Sequence, residues 1–105
     1  MSSSIPPSDF GVARLASQGL IVIFSKSSCC MCHAIKSFFI ELKVHPIIHE
    51  LDHYRTGKEM ERVLLRLGCN PSVPAIFIGG KLIGGTSEII SLHLRGSLMP
   101  LLNRA

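Results

Sequence analysis

The sequence predicts an α/β fold, a four-stranded mixed sheet with helices on both faces, and three observations carry that expectation. An apolar run at 20–24 passes through the polar turn Lys26-Ser27-Ser28 into apolar residues at helical spacing (Ile35, Phe38, Phe39, Leu42), a strand-to-helix transition. Gly79-Gly80 separates two short apolar runs, as a hairpin turn does. Helical and extended stretches follow one another as α-β-α-β-α-β-β-α. The first half therefore needs a right-handed parallel crossover, and the second adds two antiparallel strands.

Each element has a local cause. Ser8 and Asp9 offer an N-cap to a short helix through Phe10, Val12, Ala13 and Leu15, which stops near Gly19. The first strand is expected at 20–25. The helix after it, about 30–43, turns Ile35, Phe38, Phe39 and Leu42 inward and Lys36, Ser37 and Glu41 outward. Pro46 closes the connection to a second strand at 47–51. Thr56-Gly57-Lys58-Glu59 has the capping-box pattern and opens a helix whose buried stripe is Met60, Val63, Leu64 and Leu67, finishing at Gly68. Asn70-Pro71-Ser72-Val73-Pro74 interrupts the pattern, a third strand follows at 75–78, and a fourth returns at 81–83. Gly84-Gly85-Thr86-Ser87 leads into one last helix carrying Ile89, Ile90, Leu92, Leu94 and Leu98.

With 105 residues, 47% hydrophobic and 17% charged, the chain can bury a core as a single domain over 1–105, with 1–7 expected to be flexible. No apolar run reaches the roughly 18 residues that span a bilayer, and the start lacks the basic and apolar regions of a secretory signal, so a reducing compartment is expected. The net charge of +4 arises from basic residues spread singly along the chain. That distribution suits an acidic tripeptide or an acidic protein surface better than nucleic acid, for which one tyrosine and no tryptophan offer little stacking.

The chemistry gathers at Cys29-Cys30-Met31-Cys32. Three of four cysteines within four positions make a site, where a stapling framework would spread them out. They stand where a strand stops and a helix begins, and the first N–H groups of a helix lack internal partners and attract an anion. With Lys26 three residues ahead, Cys29 is the candidate nucleophile, reacting as the thiolate with hydrogen bonds from the N–H groups of Met31 and Cys32. Cys32, one turn on, is either a resolving thiol or silent in a monothiol mechanism. Cys30 reads as a second attacking thiol or a tolerated small side chain, and Cys69 as a packing residue. Cys29-x-x-Cys32-His33 also fits c-type haem attachment, which the strand-turn-helix context opposes. A zinc site would need a second ligand pair at suitable spacing, and none is present.

A C-x-x-C at such a turn resembles thioredoxin-like proteins. Lys26 ahead of Cys29, Ser72-Val73-Pro74 before a strand and Gly84-Gly85 before a helix together resemble glutaredoxins over nearly the whole chain. The Cys29-Cys30-Met31-Cys32 motif resembles the CC-type (class III, ROXY-like) glutaredoxins of land plants. The resemblance implies a thioredoxin-like fold and a glutathione-dependent thiol–disulfide oxidoreductase that forms a mixed disulfide on Cys29. It implies that Lys26 pairs with the glycyl carboxylate of glutathione and that the Val73 backbone bonds the cysteinyl part beside a cis Pro74. Gly85, Thr86 and Ser87, at a helix start, would hold the γ-glutamyl end. Two departures accompany it: Cys30 and Met31 stand in place of a proline and a tyrosine, and Ser87 in place of an acidic residue that accepts the substrate ammonium.

Some glutaredoxins bridge a [2Fe–2S] cluster between two chains through the cysteine that Cys29 matches and through glutathione. Leu98-Met99-Pro100-Leu101-Leu102 resembles the L-x-x-L-L element through which the family engages TGA-type bZIP transcription factors. The resemblance thus implies a rival class as well, an adaptor with little or no turnover that docks through Leu98, Leu101 and Leu102, with Leu98 buried and the other two freer. A cytoplasmic and nuclear location goes with it.

Overall fold

In the computed structural model, which describes residues 10–104, strand β1 (Ile21–Ser25) is buried along its whole length. Because successive side chains of a strand point to opposite faces, Val22 and Phe24 enter one hydrophobic cluster and Ile21 and Ile23 another. Strand β3 (Ala75–Ile78) repeats the alternation, with Ala75 and Phe77 on the first face and Ile76 and Ile78 on the second. Strands β2 (Ile47–Glu50) and β4 (Lys81–Gly84) complete a sheet ordered β2-β1-β3-β4. The β1–β2 pair is parallel and the other two are antiparallel, as the order of elements predicts.

Helices cover both faces. Helix α1 (Val12–Ala16) and helix α3 (Gly57–Arg66) supply Val12, Ala16, Met60, Val63 and Leu64 to the first cluster. Helix α2 (Cys30–Glu41), helix α4 (Thr86–Leu94) and helix α5 (Leu98–Arg104) supply Ile35, Phe39, Ile89, Leu98 and Leu102 to the second. Each fully buried side chain of this size contributes about 1.5–3 kcal/mol, so the two clusters together carry the fold. Gly57 is required by close approach: a Cβ there would run into the Leu51 carbonyl of the short 3-10 turn Leu51–His53.

Several local expectations are corrected. The start at 1–7 and the Ser8–Asp9 cap lie outside the described residues. Helix α1 begins only at Val12, after Gly11 in the left-handed region at φ +85°, and Phe10 is exposed outside it. Thr56 does precede α3, but its hydroxyl makes no capping bond; at ψ +24° its backbone is not in the extended conformation that aims a cap oxygen at the helix amides. Leu67 is 54% exposed, because the chain reverses before the stripe continues. Gly68, at φ +106°, donates to Leu65 and Cys69 donates to Leu64, a Schellman ending that drops Cys69 into the core instead. Lys36 does not point freely outward but reaches Glu50 at 2.7 Å, and the buried Ser25 hydroxyl bonds the same carboxylate at 2.7 Å.

The last helix is two. Gly96 donates to His93 and Ser97 to Leu92, a second Schellman ending at φ +73° for Gly96, after which α5 turns back on the sheet. Leu94, expected on an apolar stripe, is left 79% exposed. Leu98 is buried as expected, but Leu102 is not freer: it is 6% exposed and packs in the second cluster, with Leu101 half-buried against it.

Candidate functional site

The loop between β1 and α2 is pinned from three sides. The Cys29 N–H donates to the Lys26 carbonyl at 3.0 Å, closing the turn. Asp52 accepts the Ser27 N–H at 3.2 Å, and His33 Nε2, one turn into α2, donates to the Ser27 carbonyl at 3.0 Å. Cys29 is thereby fixed as the N-cap of α2 with extended backbone, and its sulfur accepts the N–H of Cys32 at 3.2 Å. One of the two amides expected to reach the sulfur is therefore seen to do so. The anion-favouring end of a helix falls on this atom by backbone geometry alone.

The cysteines have separate environments. Cys29 is half-buried, Cys30 exposed, and Cys32 and Cys69 buried, and all four are free thiols. Burial pushes the Cys32 thiol up to about 12, and its hydrogen bond to Cys29 acts in the same direction. A thiol held protonated there stabilises a charged neighbour without competing with it as nucleophile. Burial likewise raises Cys69, whose sulfur lies 3.7 Å from the Pro74 carbonyl, in keeping with a packing role.

Opposite Cys29 lies a cleft of about 460 Å³ lined also by Met31, Cys69, Val73, Pro74, Gly85, Thr86 and Ser87. Five of the expected glutathione-binding residues are thus gathered with the nucleophile. The Val73–Pro74 bond is cis, as is Asn70–Pro71. The backbone of Val73 forms no hydrogen bond among the described residues, so a strand-like edge is left for an extended ligand. Thr86 Oγ1 is buried without a hydrogen-bond partner among the described residues.

Lys26 is not in that lining, and its ammonium is already engaged. Its Nζ lies 2.6 Å from Glu61 Oε2, and this hydrogen bond chiefly holds the ammonium above its ordinary value of 10.5, against the opposing effect of burial. At the other end, the carboxylate of Glu88 lies on the start of α4 and accepts the Gly85 N–H at 2.9 Å and the Ser87 hydroxyl at 3.2 Å. The Gly85 amide is the main cause of a Glu88 carboxyl held below 4.5. Gly84, at φ +139°, makes room for it, since a Cβ would sit 2.6 Å from Glu88 Cγ. Sequence reasoning missed both glutamates. Glu88 stands three residues after the Gly85 cap, a spacing that signals such a contact. Glu61 has no local signal, because its partner is 35 positions away.

Among the described residues no group of three or more His, Cys, Asp or Glu is placed to hold a metal ion. In the cleft, one chain offers Cys29 as its accessible thiol, which alone does not complete the four thiolates of a [2Fe–2S] centre. No helix of the described residues is long and apolar enough to cross a membrane.

Comparison with known proteins agrees with this geometry. The sequence profile described as Glutaredoxin matches residues 21–83. Glutaredoxin-C13 of Arabidopsis thaliana is 54% identical over 91 residues, which are 87% of this chain and 89% of that protein. Monothiol glutaredoxin-S7 of the same plant is 53% identical over 91 residues with the same coverage. The crystal structure of the buckwheat glutaredoxin–glutathione complex superposes with a TM-score of 0.86 at 32% identity, covering 92% of this chain and 88% of that one.

Proposed function

The chain belongs to the glutaredoxin family and carries the motif of its plant CC-type branch, and from that membership we propose that it is a glutathione-dependent thiol–disulfide oxidoreductase working through Cys29 alone. The observation that carries the reading is the Cys29 sulfur, half-exposed at a cleft and bonded by the Cys32 amide, with the unpaired Val73 edge among the cleft's lining residues. In the first step the Cys29 thiolate attacks the glutathionyl sulfur of a mixed disulfide. A Cys29–glutathione disulfide forms and the target leaves as its thiolate, which takes up a proton. In the second step a glutathione thiolate attacks the glutathionyl sulfur on Cys29. Glutathione disulfide leaves, Cys29 is regenerated, and two glutathione units carry the oxidation away from the target.

The other residues position and shield. The buried Cys32 thiol stays protonated and donates toward the Cys29 sulfur. The Val73 edge aligns the cysteinyl part of the ligand, and the orphaned Thr86 hydroxyl meets its γ-glutamyl end. That Cys29 works alone is supported by the deep burial of Cys32, which a resolving role would require to reach a disulfide already occupying the cleft. The name of the monothiol relative points the same way.

The test compares reduction of a glutathionylated peptide by glutathione in wild type and Cys32→Ser. Turnover in the variant is expected to stay within about threefold of wild type, since serine keeps a donor at that position. A loss of a hundredfold or more, with the fold intact, would instead assign Cys32 the resolving step.

A further inference from the structure

Glu61 holds more than Lys26. The same Oε2 that lies 2.6 Å from Lys26 Nζ also accepts the Ser72 hydroxyl at 3.2 Å. Helix α3, the loop after β1 and the turn before β3 are therefore joined at one carboxylate oxygen, next to the segment that presents Val73. The pair is partly shielded, with side-chain exposures of 37% for Lys26 and 20% for Glu61, and Asp52 adds a second negative charge facing the ammonium. A ligand carboxylate arriving at Lys26 has either to displace Glu61 from two hydrogen bonds or to sit as a further anion beside it. Both cost free energy that an uncharged peptide group does not.

We propose that Glu61 is a specificity-determining residue. By occupying Lys26, which the shared carboxylate holds close to Ser72 and so to the Val73 edge, it removes the advantage of a free carboxylate there, so that cysteinyl peptide segments whose chain continues past that point are accepted as readily as glutathione. The substrate class is then a thiol or disulfide in an extended peptide laid along Val73, with no terminal carboxylate required. This deepens the redox reading of Cys29 and rests on it.

Two ligands isolate the carboxylate: S-methylglutathione and its glycinamide, titrated into the full chain and followed by amide chemical shifts. Wild type is expected to bind the two within about twofold of each other. Glu61→Gln, which keeps an acceptor for Ser72, is expected to tighten the acid about tenfold, the size of one regained charge-assisted hydrogen bond, and to leave the amide within about twofold. The double variant E61Q/K26Q should lose that gain. In turnover the same change should appear as a lower KM for glutathione at unchanged kcat.

Wild type favouring the acid tenfold would overturn the proposal, and that comparison needs no variant. Equal tightening of both ligands by E61Q would overturn it too, as would no binding of either ligand to either protein. Binding is read without turnover, so a chain that binds as expected and does not turn over refutes the redox assignment only. One that turns over while preferring the acid refutes the role of Glu61 only.

Discussion

Cys29→Ser is expected to reduce turnover on a glutathionylated peptide by at least about a thousandfold, because an alcohol at that position is a far weaker nucleophile than a thiolate and cannot form the mixed disulfide. The fold should be unaffected. Cys29 is only half-buried, and serine keeps both the N-cap position and an acceptor for the Cys32 amide. The sharpness of the expectation comes from the neighbours. Cys32 and Cys69 are buried and raised, and Cys30, though exposed, lies one residue into the helix, away from the atom that receives the amide. Turnover surviving within tenfold would mean that Cys30 substitutes, and that helix-start geometry is not what selects the nucleophile.

The largest structural effect is expected at Phe24. Its ring is fully buried at the end of β1, edge-on to Phe77 at 5.5 Å and stacked on His49 at 5.5 Å. Removing it in Phe24→Ala leaves a cavity between the sheet and helices α1 and α3, at a cost of about 3–5 kcal/mol. Domains of this size have about 5–15 kcal/mol of stability in all, so the variant should unfold at a much lower urea concentration and lose part of its folded population at physiological temperature. Phe24 also precedes Ser25 and the pinned loop that carries Cys29, so activity per molecule should fall with the folded fraction and no further. A loss below about 1 kcal/mol would show that this face of the sheet repacks around the gap.

What was legible in the sequence follows the range of the interactions involved. Strand β3 was predicted to the residue, because Ala75-Ile76-Phe77-Ile78 is an apolar run with Pro74 before it and Gly79-Gly80 after it, all local signals. The start of α2 at Cys30 was likewise readable, since a run of apolar periodicity begins just past a polar turn. The Thr56 box failed although its letters fit, because a capping pattern acts only when the backbone at the cap is extended. The apolar spacing from Ile89 to Leu98 predicts one helix, but Gly96 between them proves to be a Schellman terminator. The sequence accordingly predicts a freer Leu102, and α5, folding back after that break, buries it.

At the cleft, the sequence motifs point to the lining residues but not to Glu61, whose partners lie 35 and 11 positions away, nor to Glu88, although its spacing from Gly85 is a local signal. Cys29, Val73, Pro74, Gly85, Thr86 and Ser87 come together around one cleft, as the family resemblance implies. The resemblance implies that Lys26 pairs with a ligand carboxylate, and in the structure its ammonium is joined to Glu61. Nothing in the local pattern of α3 distinguishes Glu61 from an outward-facing charge.

The proposed chemistry runs through a single sulfur, the one that glutathione should mark. Incubating the full chain with glutathione disulfide and mapping the adduct by peptide mass spectrometry reads that atom directly. The adduct is expected on Cys29, with Cys30, Cys32 and Cys69 recovered unmodified. An adduct confined to the exposed Cys30, or none on any cysteine, would contradict it.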